Sequence, residues 1–253
     1  YGESGTGKSA LVRMVLDSQF PDAAQIWLGP EQLETALSEA KRPAFGLTAP
    51  LLDVLRSSAK SETILVIDAA ERLTEGCVLK AKDLIATLAA NISTIGCRVL
   101  IIGQSDAGVS GTLQQLSGSA SPPTVEVPRL EANEVSEVLW TTNGLQWLAA
   151  QDDAVEALRN LKALAWVIDG AALFQATSGA QQLSLTTIAD RLWPYWTGNK
   201  PSLQRLLMRL GEREASFEHS FALTSFDSSE VTELNALPKA CPLRSGANNR
   251  FQF

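Results

Sequence analysis

Continuous apolar runs and helically spaced apolar residues alternate along the first half of the chain. The earliest helical stretch is Ser9 to Leu16, where Leu11, Val12, Val15 and Leu16 recur at helical spacing and Pro21 follows soon after. A short run from Gln25 to Leu28, closed by Gly29-Pro30, predicts a strand, and Leu33, Ala36 and Leu37 predict an amphipathic helix behind it. Another helix is predicted around Leu51 to Leu55. Thr63 to Ile67 is a continuous apolar run ending at Asp68, the pattern of a central parallel strand covered on both faces. The spacing of Leu84, Ile85, Leu88 and Ile92 predicts a helix leading into a second such run, Arg98 to Ile102. After a Ser/Gly/Pro-rich stretch from Ser117 to Pro123 comes a shorter run, Thr124 to Val127. Alternation of this kind predicts an α/β fold with a parallel sheet.

Beyond Pro128 the pattern changes. Helical segments at Glu131 to Trp140, Asp152 to Asn160, Leu161 to Ala176, Leu185 to Trp196 and Ser202 to Leu210 succeed one another without an obvious strand between them. The expected organisation is an α/β core over 1–129, a helical lid over 130–182 and a third domain over 183–253.

The first residues carry the most specific signal. Gly2-Glu-Ser-Gly-Thr-Gly7-Lys8-Ser9 satisfies G-x-x-x-x-G-K-[ST], the P-loop, in which glycines let backbone N–H groups converge on phosphate oxygens. The candidate nucleotide-binding residues are Gly2, Ser4, Gly5, Thr6, Gly7, Lys8, Ser9 and Ala10. Lys8 is placed to reach the terminal phosphates as a point charge, Ser9 to put its hydroxyl on Mg2+, and the following helix to add its N-terminal dipole. Such a loop needs a strand feeding it, and only Tyr1 precedes Gly2, so the natural sequence is expected to continue upstream. Asp68, at the end of the Ile64-Leu-Val-Ile67 run, is the candidate partner for Mg2+; an aspartate there is also a common helix N-cap. It lies on the third strand of the pattern. That points to the P-loop division in which an extra strand separates the two motifs, an arrangement that usually supports ATP hydrolysis.

Composition narrows the chemistry. The chain has 253 residues, 45% of them hydrophobic and 19% charged, an ordinary globular balance. No apolar run approaches the roughly 18 residues of a membrane helix. A net charge of −7 means that phosphate binding must come from local geometry, and it makes nucleic acid a disfavoured partner. Cys77, Cys97 and Cys241 are odd in number and widely spaced, as expected of reduced buried thiols in a cytoplasmic protein. His219, the sole histidine, reads as a surface helical residue and rules out multi-histidine metal sites.

With these motifs in place, the chain resembles the signal-transduction ATPases with numerous domains (STAND), particularly their NACHT-like members, relatives of AAA+ proteins. Their second motif runs apolar strand, aspartate, small residue, any residue, acid, which here is Asp68-Ala69-Ala70-Glu71. The resemblance implies that Glu71 orients or deprotonates the attacking water, so the catalytic candidates are Lys8 and Glu71. It places a γ-phosphate sensor at Gly103-Gln104-Ser105, where Gln104 carries no charge although arginine is frequent in the family. Val125-Glu-Val-Pro-Arg-Leu130 looks like the exit into a helical lid, whereas Asp169-Gly170-Ala171-Ala172 lacks the proline of the family's adenine-contacting Gly-x-Pro. Leu185 to Phe221 looks like the winged-helix part of such proteins, and the chain stops at Arg250 to Phe253, where a nucleotide-reading histidine would follow.

The expectation is a regulatory switch that binds ATP or ADP with Mg2+, hydrolyses ATP, and controls oligomerisation or effector activation, for bacterial members in antiphage defence. Upstream effector and downstream sensor domains and a homo-oligomer are the partners implied; a membrane is not. The alternative is an AAA+-type remodelling or DNA-associated loader ATPase. A third reading is a nucleotide-binding scaffold that does not hydrolyse.

Overall fold

The computed structural model describes residues 1–57, 62–104, 112, 114–116, 122–174, 184–215, 220–237, 241, 243–246 and 250–252. Ser105, His219, and the predicted end of a helix at Ala176 lie outside them. The chain divides into two compact units, Tyr1–Pro128 and Arg129–Phe253.

In the first unit, α1 (Lys8–Gln19) is followed by β1 (Ala24–Leu28), α2 (Pro30–Leu37), α3 (Leu51–Ser57), β2 (Thr63–Ile67), α4 (Glu75–Ala90), α5 (Ile92–Ile95) and β3 (Cys97–Ile101). The three strands form a parallel sheet in the order β1-β2-β3, with Leu28 level with Ile67 and Ile67 level with Ile101. All five residues of β2 are buried because both faces are covered. Leu65 and Ile67 pack with Leu33 of α2, Leu55 of α3 and Leu88 of α4, while Ile64 and Val66 pack with Leu16 of α1.

The sheet continues past β3 in shorter pieces. Gln104 forms a parallel bridge with Gly2. On the other side of that pair, the Val127 N–H donates to the Tyr1 carbonyl at 2.7 Å, and the Tyr1 amino group donates to the Val125 carbonyl at 2.7 Å. The entry to the loop is therefore separated from the strand carrying Asp68 by β3, which is the extra-strand arrangement. Val125 to Val127 forms these bonds without being a regular strand.

Two helices differ from the sequence pattern. On α1, Leu16 is buried but Leu11 and Val15 are 39% and 41% exposed. The α4 helix stops at Asn91, and Ile92, which continued its spacing, begins α5 and is exposed. The three cysteines are free and buried, and burial pushes the Cys77 thiol up to about 11.

The second unit contains α6 (Ala132–Thr141), α7 (Gln146–Ala149), α8 (Asp152–Ala157), α9 (Leu161–Asp169), α10 (Leu185–Thr197) and α11 (Pro201–Ala215). They are followed by β4 (Ser220–Ala222), α12 (Ser228–Asn235), β5 (Arg244–Gly246) and β6 (Arg250–Gln252). A single cluster of buried residues extends from Val135 through Phe174, Leu192 and Leu207 to Phe251. The predicted helix over Leu161 to Ala176 breaks at Gly170, after which a 3-10 turn covers Ala171–Phe174. A Cβ at Gly170 would press on the Leu192 side chain, so glycine there lets Leu192 of α10 pack close. The last three strands make a small antiparallel sheet in the order β4-β6-β5.

Candidate functional site

The Gly2–Ser9 loop is held in shape by its own backbone. Gly5 and Gly7 have φ of 80° and 83°, in the left-handed region that a side chain disfavours. Gly2 is buried, and a Cβ there would run into the Val127 carbonyl oxygen. The Thr6 hydroxyl closes the turn by donating to the Glu3 carbonyl at 3.0 Å. No side chain caps α1 at Gly7, and its ladder begins where the Leu11 N–H donates to the Gly7 carbonyl at 2.9 Å. The amides of Lys8, Ser9 and Ala10 lie ahead of that first bond, in the part of a helix suited to an anion.

Ser9 ties the start of α1 to the end of β2. The Ser9 hydroxyl donates to Asp68 Oδ1 at 2.9 Å, so residues 59 positions apart meet beneath the loop. The hydrogen bond holds a hydroxyl and a carboxylate side by side, two hard oxygen groups of the kind that would hold Mg2+ or its hydration shell. Lys8 Nζ donates to the carbonyls of Gly2 (2.9 Å) and Glu3 (2.5 Å), which keeps the ammonium at the mouth of the loop.

Beyond Asp68 the chain turns sharply. Ala69 adopts φ 53° and ψ 47°, uncommon for a residue with a Cβ. Its N–H donates to the same Asp68 Oδ1 at 2.9 Å. A 3-10 turn over Ala70–Arg72 follows, with the Ala70 N–H donating to the Ile102 carbonyl at 2.9 Å. This carries Glu71 across to the end of β3, where its Oε2 accepts from the Gln104 N–H at 3.2 Å. Asp68, Glu71 and Gln104 are all partly buried.

The structure thus brings Lys8, Ser9, Asp68, Glu71 and Gln104 to the ends of adjacent strands, with Gly2, Ser4, Gly5, Thr6, Gly7 and Ala10 in the loop and first turn beside them. Sequence reasoning assigned Gln104 through its side chain, and missed that its backbone amide holds Glu71. It also missed the left-handed turn at Ala69, whose only signal was a small residue after the aspartate. Among the described residues no group of three or more His, Cys, Asp or Glu side chains is gathered as a metal site. A divalent ion here would lean on Ser9, Asp68 and the phosphates of a bound nucleotide.

Strand order, loop geometry and the Ser9–Asp68 pair define a P-loop nucleotide-binding fold of the α/β class. No protein family matches this sequence, and no curated protein matches it. Among solved structures, it is similar to the Orc1 protein of Aeropyrum pernix in complex with DNA: 17% identity and a TM-score of 0.46, over 78% of this chain and 59% of that one. It is also similar to Cdc6p from Pyrobaculum aerophilum, with 13% identity and a TM-score of 0.41 over 99% of this chain and 81% of that one. This chain therefore spans less than two thirds of the Aeropyrum protein. At these identities and TM-scores the fold assignment rests on the strand order and loop geometry above.

One expectation is corrected. The disfavouring of nucleic acid on net charge does not stand beside the Aeropyrum structure, which is a complex with DNA. A whole-chain charge of −7 is a sum, whereas phosphate contacts depend on where cationic groups and N–H donors sit locally. Among the described residues, no helix is long and apolar enough to cross a membrane.

Proposed function

We propose that this chain is an ATP-binding and ATP-hydrolysing module related to the AAA+ and STAND ATPases. The observation that carries the reading is the Ser9–Asp68 contact under a formed P-loop, with Glu71 fixed one strand further on. The loop amides and Lys8 hold the β- and γ-phosphates, with Nζ exchanging its carbonyl partners for phosphate oxygens. Ser9 and Asp68 would hold Mg2+ together with the phosphates, and the ion would supply neutralisation of the charge developing on them. Glu71 takes a proton from, or orients, the attacking water, and Gln104 stands beside it at the tip of β3.

The wider setting we infer is an AAA+-type ATPase that remodels or loads a partner, DNA included. The order of elements α11, β4, α12, β5, β6 with the spatial order β4-β6-β5 resembles a winged helix, which is compatible with this reading and equally with a STAND protein. A STAND-type switch, with nucleotide state governing oligomerisation, is the second reading. It is supported by the acid standing three residues after Asp68 rather than next to it.

The test is steady-state hydrolysis. ATP turnover should require Mg2+, and Lys8→Ala should lower it by at least about a hundredfold, the scale for removing one preorganised transition-state donor. Mg2+-independent turnover, or full activity in Lys8→Ala, would overturn the proposal. For the setting, DNA affinity across a salt series should fall steeply with salt if the AAA+ reading holds, while nucleotide-dependent assembly without DNA affinity selects the switch.

A further inference from the structure

Ala69 is the joint between the metal-side carboxylate and the candidate base, and its backbone makes both contacts possible. Its N–H donates to Asp68 Oδ1, the oxygen that also accepts from Ser9. Its left-handed φ of 53° then reverses the chain. With that reversal, the Ala70 N–H reaches Ile102 and the Glu71 carboxylate reaches the Gln104 N–H. A residue in an extended conformation at 69 would direct Ala70 and Glu71 away from β3.

We infer that Ala69 is a positioning residue for hydrolysis, acting through its left-handed backbone to aim Glu71 while its N–H orients Asp68. The inference rests on the ATPase reading, and concerns conformation rather than side-chain contact. Ala69 is only partly buried, so a modest increase in side-chain size has solvent to enter.

Three substitutions separate conformation from size. Asn tolerates the left-handed region, whereas Val and Thr, of comparable bulk, are β-branched and resist it. Ala69→Val and Ala69→Thr should each lower kcat about tenfold or more, with ATP affinity measured without Mg2+ close to wild type and a thermal midpoint lowered by the strain of the left-handed position. Ala69→Asn should stay within about threefold of wild-type kcat. Equal losses in Asn, Val and Thr would show that bulk is responsible and overturn the inference, as would no loss in any of them. Should Val fail to fold, the Thr and Asn pair decides. If the wild-type chain hydrolyses no ATP, the ATPase reading itself fails, and the ratio of ATP affinities with and without Mg2+ then judges Ala69. That ratio should fall in Val and Thr and persist in Asn, because Asp68 depends on the Ala69 N–H; the same ratio in all four proteins would overturn the inference.

Discussion

The two units use their buried surface differently. In Tyr1–Pro128 a narrow parallel sheet is covered on both faces, and the candidate site residues stand where its strands end. Asp68 follows β2, Gln104 follows β3, and Gly2 enters between β3 and Val125 to Val127. In Arg129–Phe253 one apolar cluster runs through helices and a small sheet, and several polar side chains cap the starts of helices. Asn160 caps α9, Ser184 caps α10 and Asp227 caps α12. A parallel sheet brings several strand ends to one edge, so residues distant in sequence can share a ligand. A helical unit of this kind expresses its sequence as packing and caps, and substitutions in it should register as stability.

That contrast can be broken or sharpened by substitution. Glu71→Gln keeps the shape and an oxygen able to accept from the Gln104 N–H, but removes the proton acceptor. Turnover should fall by about a hundredfold to ten-thousandfold while ATP affinity is retained. Single-turnover hydrolysis alongside equilibrium nucleotide binding checks this, and unchanged turnover would remove Glu71 from the mechanism. In the second unit, Leu139→Ala empties a fully buried site in the cluster. It should destabilise that unit by about 2–5 kcal/mol, measured by denaturant unfolding. A cost below about 1 kcal/mol would mean the cluster is loosely packed there.

How far the sequence foretold these units follows from what a linear pattern encodes. The β2 strand was legible because burial on both faces leaves an uninterrupted apolar run, and the P-loop because its glycines are fixed by backbone geometry. Helical spacing on α1 shows which residues share a face but not which face is covered, and Leu11 and Val15 stand on the exposed one. The Glu71–Gln104 contact was illegible because it depends on the register of β2 against β3 and on a left-handed Ala69, neither written in residue type. The small terminal sheet is hard to read because its strands are three residues each, too short for alternation to emerge. Net charge decides nothing about nucleic acid, because it averages over surfaces that act separately.

Gly2 supplies the finest test of the first unit. Its place in the motif reads as room for phosphate, yet the structure gives a second reason for glycine: the sheet itself leaves no space. A Cβ would press on the Val127 carbonyl oxygen, a backbone atom that cannot swing aside, and would crowd the Thr6 hydroxyl at 3.3 Å. Relief requires Tyr1-Gly2 and Val125 to Val127 to separate, loosening the 2.7 Å bond from Val127 to Tyr1. Gly2→Ala should therefore cost about 1–3 kcal/mol of first-unit stability, the range for overpacking a close-fitted site. Thermal unfolding without nucleotide isolates this from any loss of phosphate contact. If the variant unfolds like wild type and only nucleotide affinity drops, Gly2 serves the ligand and not the sheet, and the packing contrast between the units narrows accordingly.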